Sequence, residues 1–225
     1  MPRVVRGLAD SLIYHVLNRG NGRQKVFHKD RDYEAFINLM KQAKERHSVK
    51  IFAYCLMPNH FHMVMMPDKG KELSRWMQWL MTSHVRRYHR HYGSSGHIWQ
   101  GRFKSFIIQK DEHLLMVLRY AEGNPVRARL VNSAKEWLWS SHRDRICRGK
   151  NSLVDDVPIE LPANWDRYVD EPLAEKELEM LQQSVNRQSP YGQTEWQIKI
   201  TKELGLESTI RARGRPKKGQ EDEKK

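Results

Sequence analysis

Between residues 11 and 18, Leu12, Tyr14 and Val16 alternate with Ile13, His15 and Leu17. That period of two predicts a strand. Asn18–Gly22 reads as a loop. The period then lengthens. Tyr33, Phe36, Ile37, Met40 and Ala43 fall on one face of a helix predicted over about 31–47, with Asp30 placed to cap it. Apolar runs at about 50–57 and 60–66 predict two strands meeting at Pro58-Asn59. Leu73, Trp76, Met77, Leu80 and His84 predict a second helix over about 71–91. Beyond a Gly/Ser loop at 93–96, Phe103, Ser105, Ile107 and Gln109 alternate with Lys104, Phe106 and Ile108 as a fourth strand. A helix follows from about Asp111 to Glu122.

The order strand, helix, strand, strand, helix, strand is the ferredoxin-like split arrangement. It predicts an α+β fold: an antiparallel sheet with helices on one face and the other face open. After about residue 148 the chain turns polar and Pro-rich. Two more helices are predicted, at about 172–187 and 194–204, the latter from Trp196, Ile200 and Leu204 with Gly205 as C-cap. The organisation expected is therefore a domain over 1–147, a helical extension over 148–210 and a basic, polar tail over 211–225.

The run His60-Phe61-His62 changes the picture from fold to chemistry. Side chains alternate along a strand, so His60 and His62 share a face and Phe61 takes the other. Two adjacent imidazoles make half of a metal site. Taken alone, the pair reads equally well as two satisfied histidines. Tyr120 and Asn124 stand four apart, the spacing of one helical face. Pro125 disfavours helix at Asn124, so the helix kinks or ends there. Taken alone, Tyr120 reads more readily as a core aromatic with its hydroxyl satisfied than as a reactive phenol.

Charge narrows the partner. Lys and Arg number 40 against 27 Asp and Glu in 225 residues, a formal net charge of +13. That balance favours a polyanion. No apolar run approaches a membrane span and no secretory signal opens the chain, so nucleic acid is expected, with no membrane and no small-molecule cofactor. Cys55 and Cys147 are far apart, which argues against a disulfide scaffold or structural zinc and fits a reducing cytoplasm.

Together these motifs carry a family resemblance. His-hydrophobic-His on a strand, a single helical tyrosine and then Asn124-Pro-Val-Arg-Ala128 resemble the HUH single-strand nucleases, and more closely the single-tyrosine transposases of insertion sequences. Tyr14-His-Val, Met57-Pro-Asn-His-Phe-His62, Gln100-Gly-Arg-Phe-Lys-Ser105, Trp139-Ser-Ser141 and the C-terminal Arg-Gly-Arg-Pro make the chain most similar to REP-associated tyrosine transposases. The resemblance spans roughly residues 8–145. It implies His60, His62 and Asn124 as ligands of one divalent ion, Mg²⁺ or Mn²⁺, and Tyr120 as a nucleophile forming a 5′-phosphotyrosine. It implies a single-stranded or hairpin DNA substrate, the repetitive extragenic palindromes, and cleavage followed by strand transfer. A bacterial, nucleoid-associated monomer is expected on the same ground.

Arg102, Lys104, Arg127 and Arg129 surround the motif as candidate phosphate contacts. Trp99 reads as a stacking platform or a core residue. In the tail, Arg213 and Arg215 flank a glycine in Arg-Gly-Arg-Pro, a minor-groove-like motif or a plain electrostatic tail. A hairpin binder that does not cut, a duplex-DNA protein using the tail, and a small-molecule hydrolase are the rival readings; the last fits the histidines but not the charge.

Overall fold

The computed structural model describes residues 7–147 and 153–211. Strands β1 (Ile13–Arg19), β2 (Val49–Met57), β3 (His60–Pro67) and β4 (Lys104–Ile108) form one sheet in the order β2-β3-β1-β4. Every neighbouring pair is antiparallel. Helices α1 (Asp30–Arg46), α2 (Gly70–Tyr92) and α3 (Glu112–Glu122) alternate with the strands as the periodicities predict. Short helices α4 (Asn124–Arg127) and α5 (Ser141–Cys147) follow, then α6 (Trp165–Asp170), α7 (Glu175–Arg187), α8 (Thr194–Leu204) and α9 (Glu207–Ile210). Among the described residues no helix is long and apolar enough to cross a membrane.

Local chemistry explains the boundaries. The carboxylate at the start of α1 that receives backbone N–H groups is Asp32, not Asp30: its Oδ2 accepts from His28 N at 3.0 Å and Lys29 N at 3.3 Å. Tyr92 at the end of α2 also donates to it, at 2.6 Å, tying the two helices together. α2 ends at Gly93, whose φ of 58° suits a residue without a Cβ.

Alternation along the strands divides the core in two. Tyr14, Val16, Phe61, Met63, Met65 and Ile107 pack with Phe36 and Met40 of α1 and with Leu73, Trp76 and Leu80 of α2. Ile13, Val64, Phe106 and Ile108 face the other way. That second face is not open. Leu114, Val117, Leu118 and Ala121 of α3 cover it, joined by Trp165, Val169, Leu181 and Tyr191 from the C-terminal extension. Burying this apolar stripe removes it from water, at roughly 25 cal/mol per Å². Tyr191 also exchanges backbone hydrogen bonds with the outer edge of β4: its N–H donates to Ile107 O and its carbonyl accepts from Gln109 N.

Candidate active site

His60 and His62 project from β3 into the covered face. His62 stands opposite Leu17 of β1 and Cys55 of β2, and His60 opposite Arg19 and Met57. Their ring centres are 5.0 Å apart. His60 Nδ1 lies 2.7 Å from the Asn59 side-chain oxygen, an acceptor, so Nδ1 carries the proton and Nε2 keeps its lone pair. His62 Nδ1 lies 2.9 Å from His15 Nε2, which leaves His62 Nε2 the ring nitrogen without a partner among the described residues. Burial, with Arg19 and Arg127 nearby, lowers the His60 pKa to about 4. Burial and the neighbouring His15 and His60 hold His62 well below its ordinary value. Both imidazoles are therefore neutral at physiological pH, the form that binds metal.

α3 lays Tyr120 over His62 and His15. The apolar stripe that seats the helix on the sheet fixes its rotation. The Tyr120 ring centre is 5.6 Å from that of His62 and 6.0 Å from that of His15, with the planes nearly perpendicular. The helix stops at Glu122 and restarts as α4, in keeping with the proline at 125. Gly123 at this junction has no room for a Cβ, which would come within 2.9 Å of the Val169 carbonyl oxygen of α6. Asn124 opens α4 and is 8% exposed; its Nδ2 has no hydrogen-bond partner among the described residues. The donor set thus fits a hard divalent ion with some nitrogen ligation: two neutral imidazoles with free Nε2 atoms and, on Asn124, a buried carboxamide whose oxygen would be the ligand atom. A second donor cluster, Asp111, Glu112 and His113, has donor atoms within 4.8 Å of one another. There Asp111 Oδ1 already accepts from both His113 N and His113 Nδ1, which makes it the cap of α3.

Three residues that shape this geometry carry no functional signal along the chain. His15 reads only as part of the alternation of β1; its one clue is an imidazole in an otherwise apolar strand, in register with the face that holds His62. Arg19 reads as loop, whereas it ends β1 opposite His60. Glu122 reads only as the end of a helix. It is fully buried and accepts from Ser141 Oγ at 2.6 Å, Trp165 Nε1 at 2.8 Å, His142 Nδ1 at 3.1 Å and Arg145 Nη2 at 3.2 Å. Burial pushes its carboxyl pKa up, but His142, Arg145 and Ser141 outweigh that and hold it below the usual value. The carboxylate that ties α3 to α5 and α6 is thus ionised, two residues after the tyrosine.

The basic candidates separate. Arg102 and Lys104 line a cavity of about 370 Å³ together with Arg19, Gln100 and, from α7, Val185 and Asn186. Arg127 instead lies against Tyr120, its guanidinium carbon 4.2 Å from the ring centre. Arg129 is exposed in a left-handed turn, φ 57°. Trp99 is 5% exposed and donates to His84 Nδ1 at 3.3 Å, on the α2 side of the sheet, so it is a core residue and not a stacking platform. Arg213 and Arg215 lie outside the described residues.

The chain is similar to known proteins. The model of the IS200-like transposase family matches residues 9–124. A Haemophilus influenzae protein described as a REP-associated tyrosine transposase is 31% identical over 121 residues, 48% of this chain and 68% of that one. A solved structure of a REP-associated tyrosine transposase bound to a REP hairpin superimposes with a TM-score of 0.51 over 78% of this chain and 98% of that one. Its sequence identity is 19%, so this likeness is one of fold.

Proposed function

Because this chain belongs to the IS200-like transposase family, we propose that it cuts and rejoins single-stranded DNA at hairpins, using Tyr120 as the nucleophile. The observation that carries this reading is the seating of the Tyr120 ring 5.6 Å from that of His62, beside two imidazoles with free Nε2 atoms. The substrate class follows the solved relative that holds a REP hairpin: palindromic, stem-loop DNA.

In the proposed reaction the Tyr120 oxygen attacks a backbone phosphorus in line with the departing 3′ oxygen. A 5′-phosphotyrosine forms and a 3′-hydroxyl is released, so in net terms the phenolic proton ends on that 3′ oxygen. One phosphoester replaces another. The step can therefore run backwards onto a different 3′ end without ATP. His60, His62 and Asn124 would hold a divalent ion, Mg²⁺ or Mn²⁺, which when bound withdraws charge from the phosphate and supplies Lewis-acid assistance. Arg127 places a fixed cation at the face of the ring on which phenoxide charge develops. Arg19, Arg102 and Lys104 offer three cations along one cavity for the flanking phosphates.

The test is a denaturing gel of protein incubated with labelled hairpin DNA and Mn²⁺. The reading requires a covalent protein–DNA adduct and a free 3′ end. Tight hairpin binding with neither product would instead mark a protein that holds such DNA without cutting it.

A further inference from the structure

We propose that His15 is a positioning residue for His62, locking the ring orientation and tautomer in which His62 Nε2 is free to bind metal. The inference rests on the metal-dependent reading above and concerns a residue outside the ligand set.

The geometry of the pair is specific. The two imidazole planes lie within 4° of parallel, with ring centres 5.0 Å apart. Rings stacked face to face keep their atoms about 3.5 Å apart or more, yet His62 Nδ1 and His15 Nε2 approach to 2.9 Å. The rings therefore lie end to end, with the lone pair of one aimed along the N–H of the other. One proton occupies that contact. If it sits on His15 Nε2, His62 Nδ1 accepts, and the His62 proton must sit on Nε2, where it blocks coordination. If it sits on His62 Nδ1, His15 accepts and Nε2 of His62 is free. His15 supplies the acceptor that the metal-competent tautomer needs. Ligating histidines are commonly held in this way by a partner on the other ring nitrogen, and its loss typically costs 10- to 100-fold in metal affinity.

Packing alone does not account for a histidine here. His15 is fully buried, and Phe106 and Tyr120 flank it edge-on at 4.9 and 6.0 Å. Its remaining nitrogen, Nδ1, has no partner among the described residues. An apolar side chain here would remove that unpartnered nitrogen but would orphan the buried His62 Nδ1. The position thus carries a stability cost that the contact to His62 explains.

Mn²⁺ is titrated into DNA-free wild type, His15→Leu and His15→Gln, with free ion followed by electron paramagnetic resonance, and a cooperative thermal transition without metal shows that each is folded. His15→Leu, close to histidine in volume, should bind Mn²⁺ about 10- to 100-fold more weakly. His15→Gln, whose side-chain carbonyl can reach the place of Nε2, should stay within a few-fold of wild type. The proposal is overturned if His15→Leu binds Mn²⁺ as tightly as wild type, or if His15→Gln loses affinity as much as His15→Leu does. Wild type that binds no Mn²⁺ at all overturns the metal reading first, and this role with it.

Discussion

Arg127 and Tyr120 form a self-contained pair: the guanidinium carbon sits 4.2 Å from the ring centre, and Nη2 donates to the Tyr120 backbone carbonyl at 3.0 Å. The second contact fixes the cation on the helix that carries the phenol. A desolvated cation–π contact contributes about 2 kcal/mol, an exposed one about 0.5–1, and its electrostatic share grows as the ring gains negative charge. Arg127 is exposed, so Arg127→Ala should slow cleavage at saturating DNA by roughly two- to fivefold and change hairpin affinity less. Single-turnover rates and equilibrium binding on the same variant separate the two. A variant that loses affinity but keeps its rate would return Arg127 to a phosphate contact.

Tyr120→Phe should keep the fold and hairpin binding while abolishing both cleavage and covalent adduct. The ring packing survives, since the phenyl group still lies over the histidines. An adduct persisting in this variant would exclude Tyr120 as the nucleophile.

His60→Ala and His62→Ala should each abolish metal-dependent cleavage, because too few donors remain to fix an ion. Asn124→Ala should do less damage, as a neutral amide oxygen contributes less than an imidazole and water can take its place. Cleavage measured across a range of Mn²⁺ concentrations distinguishes the cases. Full activity of either histidine variant at low-micromolar Mn²⁺ would sink the ligand assignment.

Glu122→Ala should destabilise the protein by about 3–5 kcal/mol, the usual cost of removing one partner from a buried charged network. Ser141, His142, Arg145 and Trp165 would all lose an acceptor. Urea unfolding measures this directly. A change below about 1 kcal/mol, the net contribution of an ordinary hydrogen bond, would mean that the network contributes little.

Metal-free protein should lose stability as pH falls. Burial lowers the His15 and His84 pKa values to about 3, and burial with two nearby arginines lowers that of His60 to about 4. The unfolded chain protonates these groups near pH 6.5, and the folded one does not. Above that pH their contribution is fully present. Between about 6.5 and 4 the unfolded state gains protons that the folded state refuses, at a slope of about 1.4 kcal/mol per pH unit for each group. Urea midpoints at pH 7, 6 and 5 in chelator should decline steadily; a flat series would contradict these shifts.

Features carried by short-range patterns could be read directly along the chain. Alternation in β3 placed His60 and His62 on one face because successive residues of any strand diverge, whatever the strand packs against. The 3.6-residue repeats located α1 over Asp30–Arg46 and α2 over Gly70–Tyr92 to within a residue or so, and the element order fixed the α+β class. Pro125 marked the break between α3 and α4 in the same local way.

Contacts between distant segments were not legible. His15 meets His62 only because β1 and β3 pair in one register; a shift of one residue would turn either imidazole to the other face. Which sheet face α3 covers follows from the fit of Leu114, Val117, Leu118 and Ala121 to the strands and to the extension, and that fit decides that Tyr120 lies over the histidines. Glu122 receives all four of its side-chain partners from residues 141–165, a stretch whose own pattern gives no hint of where it docks. Trp99, in a loop by its neighbours, is buried because the far end of α2 offers it His84. Periodicity reports which side of its own element a residue occupies. What stands opposite is set by strand register and by the shape of two apolar surfaces closing together, and neither is encoded within one turn of helix or one step of strand.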